Sequence, residues 1–260
     1  MTFFPFGTID GLISLSSFPR GMSIARTPRI HLPFTRLPQP RPSGLLFRPR
    51  FLTTASMSDP ANRRLQRPVI FVCDLQDKFR NAIFEFDKVV KTTSKLLRAA
   101  DTLKIPVYTT TQNRARLGDT VTELAPFLKE SDLVRPAVDK TKFSMWVPEI
   151  AAQFEGKGKH EVLIVGIESH ICVTQTALDL LAEGHKVYVL ADGVSSCNRE
   201  EVPIALARLR GEGVVVTTSE SVIYEMMGDA ARPEFKSVVG LVKDTGKDTR
   251  EVLQALAPKI

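Results

Sequence analysis

Cysteine is scarce in this chain, with three in 260 residues. That number is too few and too odd for a disulfide-stapled scaffold, so a reducing compartment is the default expectation. No run of about 18 uncharged apolar residues occurs, so no membrane-spanning helix is expected. Acidic residues are nearly missing from the first 57 positions, where Asp10 stands alone against Arg20, Arg26, Arg29, Arg36, Arg41, Arg48 and Arg50. Lysine is missing there altogether, and this segment accounts for the whole net charge of +6. Residues 58–260 balance 28 basic against 28 acidic residues. The pI of 9.3 therefore does not describe the body. The body has no overall field to steer a polyanion, and nucleic acid is not an expected partner.

The same 57 residues hold 8 of the 17 prolines and follow neither a helical nor a strand period. Prolines at 28, 33, 38, 40, 42 and 49 would interrupt any long helix. An Arg-rich, Ser/Thr-bearing, acid-poor segment reads as a leader for the mitochondrial matrix, with Arg50-Phe51-Leu52-Thr53 as a cleavage region. Two alternatives stay open: a disordered extension without an address, or a cytoplasmic protein starting at Met57-Ser58-Asp59-Pro60. A secretory signal fits worse, because the apolar stretch from Ile9 to Phe18 contains Asp10 and has no basic residue before it. Secretion without a signal peptide leaves no mark in a sequence.

From residue 58 onward the pattern changes, and one domain over 58–260 is the simplest account. The hydrophobic fraction of 43% and the charged fraction of 25% suit a globular fold. Strands are expected at Val69–Cys73, Ile105–Thr111, Leu133–Asp139, Val162–Gly166, Lys186–Ala191 and Gly213–Thr218. Helices are expected at Phe86–Leu103, Ser169–Glu183 and Arg199–Arg210, with shorter ones at Thr120–Leu128 and Pro148–Phe154 and a further start at Ser219. Two short amphipathic pieces follow Ala230 and are assigned packing alone. Apolar strands separated by helices predict an α/β fold: a six-stranded parallel sheet with helices on both faces. In such sheets chemistry collects at the carboxyl ends of the strands.

Three strand ends carry polar residues of interest. Asp74 follows five apolar residues, where it can act as an acid or simply cap the next helix. The third strand runs into Asp139-Lys140-Thr141-Lys142-Phe143-Ser144-Met145-Trp146, and spacing alone does not choose between Lys140 and Lys142. Cys172 falls in the first turn of a helix, where backbone N–H groups favour a thiolate; a small buried hydrophobe is the plain alternative. Cys73 lies inside a strand and reads as core, and Cys197 lacks a nearby base in the sequence. An acid, a cation and a thiol at three strand ends of one sheet can converge for attack on a carbonyl carbon.

Four segments, VIFVCDLQDKF, KTKFSMW, GIESHICVTQTALDLL and VYVLADGVSS, together resemble the isochorismatase-like hydrolase superfamily over 68–230. The resemblance implies a catalytic triad of Asp74, Lys140 and Cys172, with Lys140 preferred because it precedes the Phe-Ser-Met pattern by three residues. It also implies a cis peptide at Ile167–Glu168, aiming the N–H groups of Glu168 and Cys172 at one oxyanion, and a homo-oligomer. The substrate pocket is expected to draw on Phe79, Gln112, Arg114, Arg116 and Trp146. The nicotinamidase branch binds a metal through histidines in the loop after the second strand. Here that loop, Thr111 to Gly118, has none, so neither metal nor other cofactor is expected. His160 and His185 are expected to be solvated, and His170 to lie beside the site as a lone imidazole.

Two mechanisms follow from the resemblance. In one, Asp74 protonates an enol ether and isochorismate is hydrolysed to 2,3-dihydroxy-2,3-dihydrobenzoate and pyruvate, which would divert a salicylate precursor. In the other, Cys172 attacks a small amide, Asp74 shuttles the proton and Lys140 supports the thiolate. A non-catalytic binding scaffold is the third reading.

Overall fold

The structure, a computed structural model, describes residues 64–257. The leader and the alternative start at Met57 lie outside the described residues. Six strands form one parallel sheet: β1 (Pro68–Cys73), β2 (Val107–Gln112), β3 (Val138–Lys140), β4 (Glu161–Ile167), β5 (Lys186–Ser195) and β6 (Val215–Thr217). Their spatial order is β3-β2-β1-β4-β5-β6. The helices between them are α1 (Phe86–Leu103), α2 (Arg114–Leu117), α3 (Pro148–Ala151), α4 (Thr174–Ala182) and α5 (Glu201–Gly211), followed by α6 (Ser219–Met227), α7 (Phe235–Asp244) and α8 (Gly246–Leu256). No helix among the described residues is long and apolar enough to cross a membrane.

Alternation along the central strands sorts their side chains into two cores. Ile70, Val72, Leu163 and Val165 pack under α1, α6, α7 and α8. Val69, Phe71, Cys73, Val162 and Ile164 pack under α3, α4 and α5. The two pieces after Ala230 are α7 and α8, and both pack on the α1 side.

Boundaries differ from expectation where backbone chemistry overrides the apolar pattern. The third strand is only three residues long, at Val138–Lys140. Pro136 lacks an N–H for the ladder, and Val134 makes only an isolated bridge to Val107. β5 continues through Asp192-Gly193 to Ser195, with its register to β4 shifting between Ile164 and Gly166. The Thr120–Leu128 segment is a six-residue 3₁₀ turn at Thr122–Phe127, with Pro126 inside it. The helix expected from Ser169 opens with a wide π turn, Ser169–Val173, before α4 begins.

Candidate active site

Register alone sets out the site. Cys73 at the end of β1 pairs with Thr110 on one side and Gly166 on the other, and Gln112 pairs with Lys140. The chain leaves β1 for β2 and β3 in one direction, while β4 lies in the other, so the sheet opens between the ends of β1 and β4. Gly166 makes the close approach possible. Its φ is +117°, and a Cβ there would sit 2.1 Å from the Cys73 carbonyl oxygen.

Asp74 sits at this opening with a φ of 50°, a left-handed conformation that Asp adopts more readily than most residues. Its side chain is 1% exposed and does not cap the turn that follows. Oδ1 accepts from the Thr110 hydroxyl at 2.8 Å, and Oδ2 accepts from the Lys140 ammonium at 2.7 Å. The Lys140 Nζ is also within hydrogen-bond distance of Gln112 Oε1 (2.8 Å) and of the carbonyls of Phe143 (3.0 Å) and Lys142 (3.1 Å), so its three N–H groups are shared among four acceptors. Burial works against the Lys140 charge. The neighbouring Cys73, Asp74 and Cys172 more than offset that burial, and the ammonium is held above the ordinary lysine range.

Cys172 lies in the π turn after β4 and is 8% exposed. Its sulfur, the Cys73 sulfur and an Asp74 carboxylate oxygen all lie within 4.8 Å of one another. The structure thus brings Asp74, Lys140 and Cys172 into one buried cluster, whereas Lys142 points outward to Asp179 at 2.9 Å. The Ile167–Glu168 peptide is cis.

The other expected site residues fall at varying distances from this centre. Gln112 joins it directly through Lys140. Arg114 and Arg116 are exposed on α2, just past the end of β2, with Arg114 paired to Asp119 at 3.1 Å. Phe79 packs half-buried against the α1-side core. Trp146 departs from the expectation: its ring meets Phe154 and His185 edge-to-face, and His185 stands just before the amino end of β5. It braces the end of the sheet away from Asp74 and does not wall the cleft. Phe143 is 50% exposed, and its backbone carbonyl accepts from the Lys140 ammonium.

The histidines also depart from expectation. His185 is only 6% exposed, and its Nδ1 accepts the His160 N–H. Burial holds both imidazoles below the ordinary histidine value. His170 is not alone: donor atoms of Glu168, His170 and Cys197 lie within 4.8 Å of one another. Glu168 Oε2 accepts the Cys197 N–H at 2.8 Å, and His170 Nδ1 meets the Ser196 hydroxyl at 2.9 Å. Cys197 therefore has a carboxylate beside it, and burial followed by that contact pushes its thiol up.

Sequence reasoning missed Thr110 and Gln76. Thr109-Thr110-Thr111, three buried hydroxyls in a central strand, was the available signal for the first. Gln76 is fully buried and ties the loop after β1 to the loop after β2, bonding the Gln112 N–H, the Gln112 carbonyl and the Gly118 carbonyl.

A buried acid–lysine–thiol cluster at the opening of a parallel sheet fits the comparison with known proteins. The family model of the Isochorismatase domain matches residues 68–221. The chain belongs to the isochorismatase family. The secreted isochorismatase effector Isc1 of Phytophthora sojae is 41% identical over 191 residues, spanning 71% of this chain and 90% of its own length. Isochorismatase domain-containing protein 1 of Salmo salar is 41% identical over 182 residues, spanning 70% of this chain and 62% of its own. The solved MAR1 ribonuclease of Caenorhabditis elegans is similar at 39% identity and a TM-score of 0.64, covering 68% of this chain and 90% of that one. The chain is thus an isochorismatase-family hydrolase with the six-stranded parallel sheet of that family.

Proposed function

We propose that the cleft between the ends of β1 and β4 hydrolyses isochorismate to 2,3-dihydroxy-2,3-dihydrobenzoate and pyruvate. The observation that carries this reading is Asp74, a buried acid at the sheet opening with both oxygens fixed, by Thr110 and Lys140. Asp74 first takes up a proton and then delivers it to the enol-ether carbon, and water captures the resulting cation. The lost pyruvyl group leaves with the oxygen that water supplied, and the diene keeps its own. The Phytophthora relative that carries the isochorismatase name supports this substrate. Arg114 and Arg116 at the rim, with Lys140 within, suit an anionic substrate. Consumption of isochorismate would divert a salicylate precursor. The balanced charge of 58–260 gives no field for RNA, so the activity named for the nematode protein is not carried over.

The second reading is a metal-independent cysteine amidohydrolase, and the nearness of Cys172 Sγ to Asp74 favours it. Here the thiol gives its proton to Asp74, the sulfur attacks the carbonyl carbon, and Lys140 holds the negative charge.

Purified chain assayed against isochorismate and a panel of small amides, with and without chelator, separates these readings. Asp74→Asn should lower either activity roughly 10²–10⁴-fold. Cys172→Ala should abolish amide hydrolysis and largely spare enol-ether hydrolysis. Full activity in Asp74→Asn would remove the site assignment. A binding scaffold would turn over neither substrate, and its Cys172 would label no faster than Cys197. Light scattering on the same sample tests the expected homo-oligomer.

A further inference from the structure

Neither reaction scheme uses Cys73. Its side chain is completely buried at the end of β1, on the face shared with Val69 and Phe71, and it packs in one cluster with Cys172. A second thiol has thus been placed within 4.8 Å of the candidate nucleophile, with an Asp74 carboxylate oxygen within the same distance of both sulfurs. The Cys73 thiol donates to Asp74 Oδ2 at 3.6 Å. Any small apolar side chain would fill this volume. What a thiol adds is sulfur chemistry next to a proton acceptor.

We propose that Cys73 and Cys172 are a modification site: a hydroperoxide oxidises Cys172, and Cys73 resolves the product into a reversible intramolecular disulfide. The proposal rests on the reactivity of Cys172 argued above, but not on the choice of substrate.

In the first step the Cys172 thiolate attacks one peroxide oxygen. The O–O bond breaks, Cys172 becomes a sulfenic acid, and the peroxide is reduced to water or an alcohol. In the second step the Cys73 sulfur attacks the Cys172 sulfur. The S–O bond breaks, hydroxide leaves, and the Cys73 proton passes by way of Asp74 to make water. Burial keeps the Cys73 thiol well above the ordinary cysteine range, so it needs a base to react, and Asp74 Oδ2 lies in line for that proton. A disulfide is about 2.05 Å long, so the sulfurs, already within 4.8 Å, must close by less than about 3 Å. The bond would consume the nucleophile and cover Asp74, shutting the cleft until a thiol reductant reopens it. It would also protect Cys172 from irreversible oxidation.

The test is treatment of the full chain with hydrogen peroxide, alkylation of the remaining thiols, and peptide mapping without reductant. Cys73 and Cys172 should lose their free thiols together and appear as one cross-linked peptide, and dithiothreitol should restore both completely. In Cys73→Ala the same exposure should carry Cys172 on to sulfinic acid, and dithiothreitol should no longer restore it. Cys73→Ser, which keeps a donor toward Asp74, should behave in the same way and guards against a packing defect in the alanine variant. Cys197→Ser should leave the cross-link unchanged. Three results would overturn the proposal: sulfinic Cys172 beside free Cys73 in the unsubstituted chain, a Cys172–Cys197 link, or no paired thiol loss. The alkylation rate of Cys172 before oxidation is read separately. Fast labelling without the disulfide refutes the proposal alone; slow labelling without it refutes the reactivity of Cys172 as well.

Discussion

Replacing Lys140 with methionine should damage this protein far more than replacing Lys142, although the two lysines are two residues apart. Lys140→Met keeps most of the side-chain volume and deletes the ammonium. Asp74 would remain, 1% exposed, facing only Thr110 and the weak donor Cys73. Gln112 Oε1 and the carbonyls of Lys142 and Phe143 would lose the same donor. Removing one member of a buried ion pair costs about 3–5 kcal/mol. In a domain of this size each kcal/mol moves the melting temperature by about 2–4 °C, so a fall of roughly 6–20 °C is expected. Lys142 and its partner Asp179 are both solvent-accessible, so Lys142→Ala should stay within about 2 °C of the parent. The double variant Asp74→Asn/Lys140→Met removes the stranded charge and should melt above Lys140→Met alone. The sign of the pH dependence follows from the raised Lys140 value, in which burial is outweighed by Cys73, Asp74 and Cys172. Such a group contributes fully below the unfolded lysine value of about 10.4 and loses its contribution only as pH rises through the folded one. The gap between parent and Lys140→Met should therefore stay flat across neutral pH. Thermal melts of the full chain, with alkylation of Cys172 at neutral pH slowed in Lys140→Met, provide the assay. Equal melting of Lys140→Met and the parent, or a larger loss in Lys142→Ala, would refute the reasoning.

Three further outcomes can be checked directly. Gly166→Ala should fail to accumulate as folded protein by circular dichroism, because the new Cβ would collide with the Cys73 carbonyl in a backbone conformation that alanine resists. His160 and His185 are held below the ordinary value by burial, so the unfolded chain takes up protons first as pH falls through about 6.5. Stability from this pair is present above that pH and is lost below it, and His185→Phe should flatten the acid side of a melting-temperature profile. Deleting residues 1–57 should leave melting temperature and turnover unchanged, and the segment fused to a fluorescent reporter should reveal whether it directs import; a large loss of either property would make it part of the domain.

Much of this architecture is readable because β1 and β4 are buried on both faces. Such strands must be continuous apolar runs, and Val69–Cys73 and Val162–Gly166 stand out for that reason. The ends of α1 match the expected Phe86–Leu103, since its apolar stripe is long and regular. Edges read less well. β3 needs only three paired residues, so the apolar pattern before Pro136 overstates it. β5 passes through Asp192-Gly193, a turn signal by composition, because Asp192 is buried and spends its carboxylate on the Ser219 N–H and hydroxyl. At the site, residues beside a strand end could be located by their position in the chain. The ring of Trp146 could not, since its direction depends on its contacts with Phe154 and His185. Thr110 was hidden for a related reason: a threonine in a strand is ordinary until the neighbouring strand is known to lead into Asp74.

The strand order also governs when the chain can acquire its chemistry. β1 is among the first strands to leave the ribosome, yet it occupies the middle of the sheet and must wait for partners on both sides, Ile70 for Val107 and Pro68 for Glu161. Parallel pairings of such span close slowly and late. Asp74, Lys140 and Cys172 therefore meet only when four strands are in register, and a nascent or partly folded chain presents an exposed apolar β1 without the assembled cluster. Quality control acting on that exposed strand would intercept the protein before it can turn over any substrate, so abundance and activity should rise and fall together in strand variants far from the cleft.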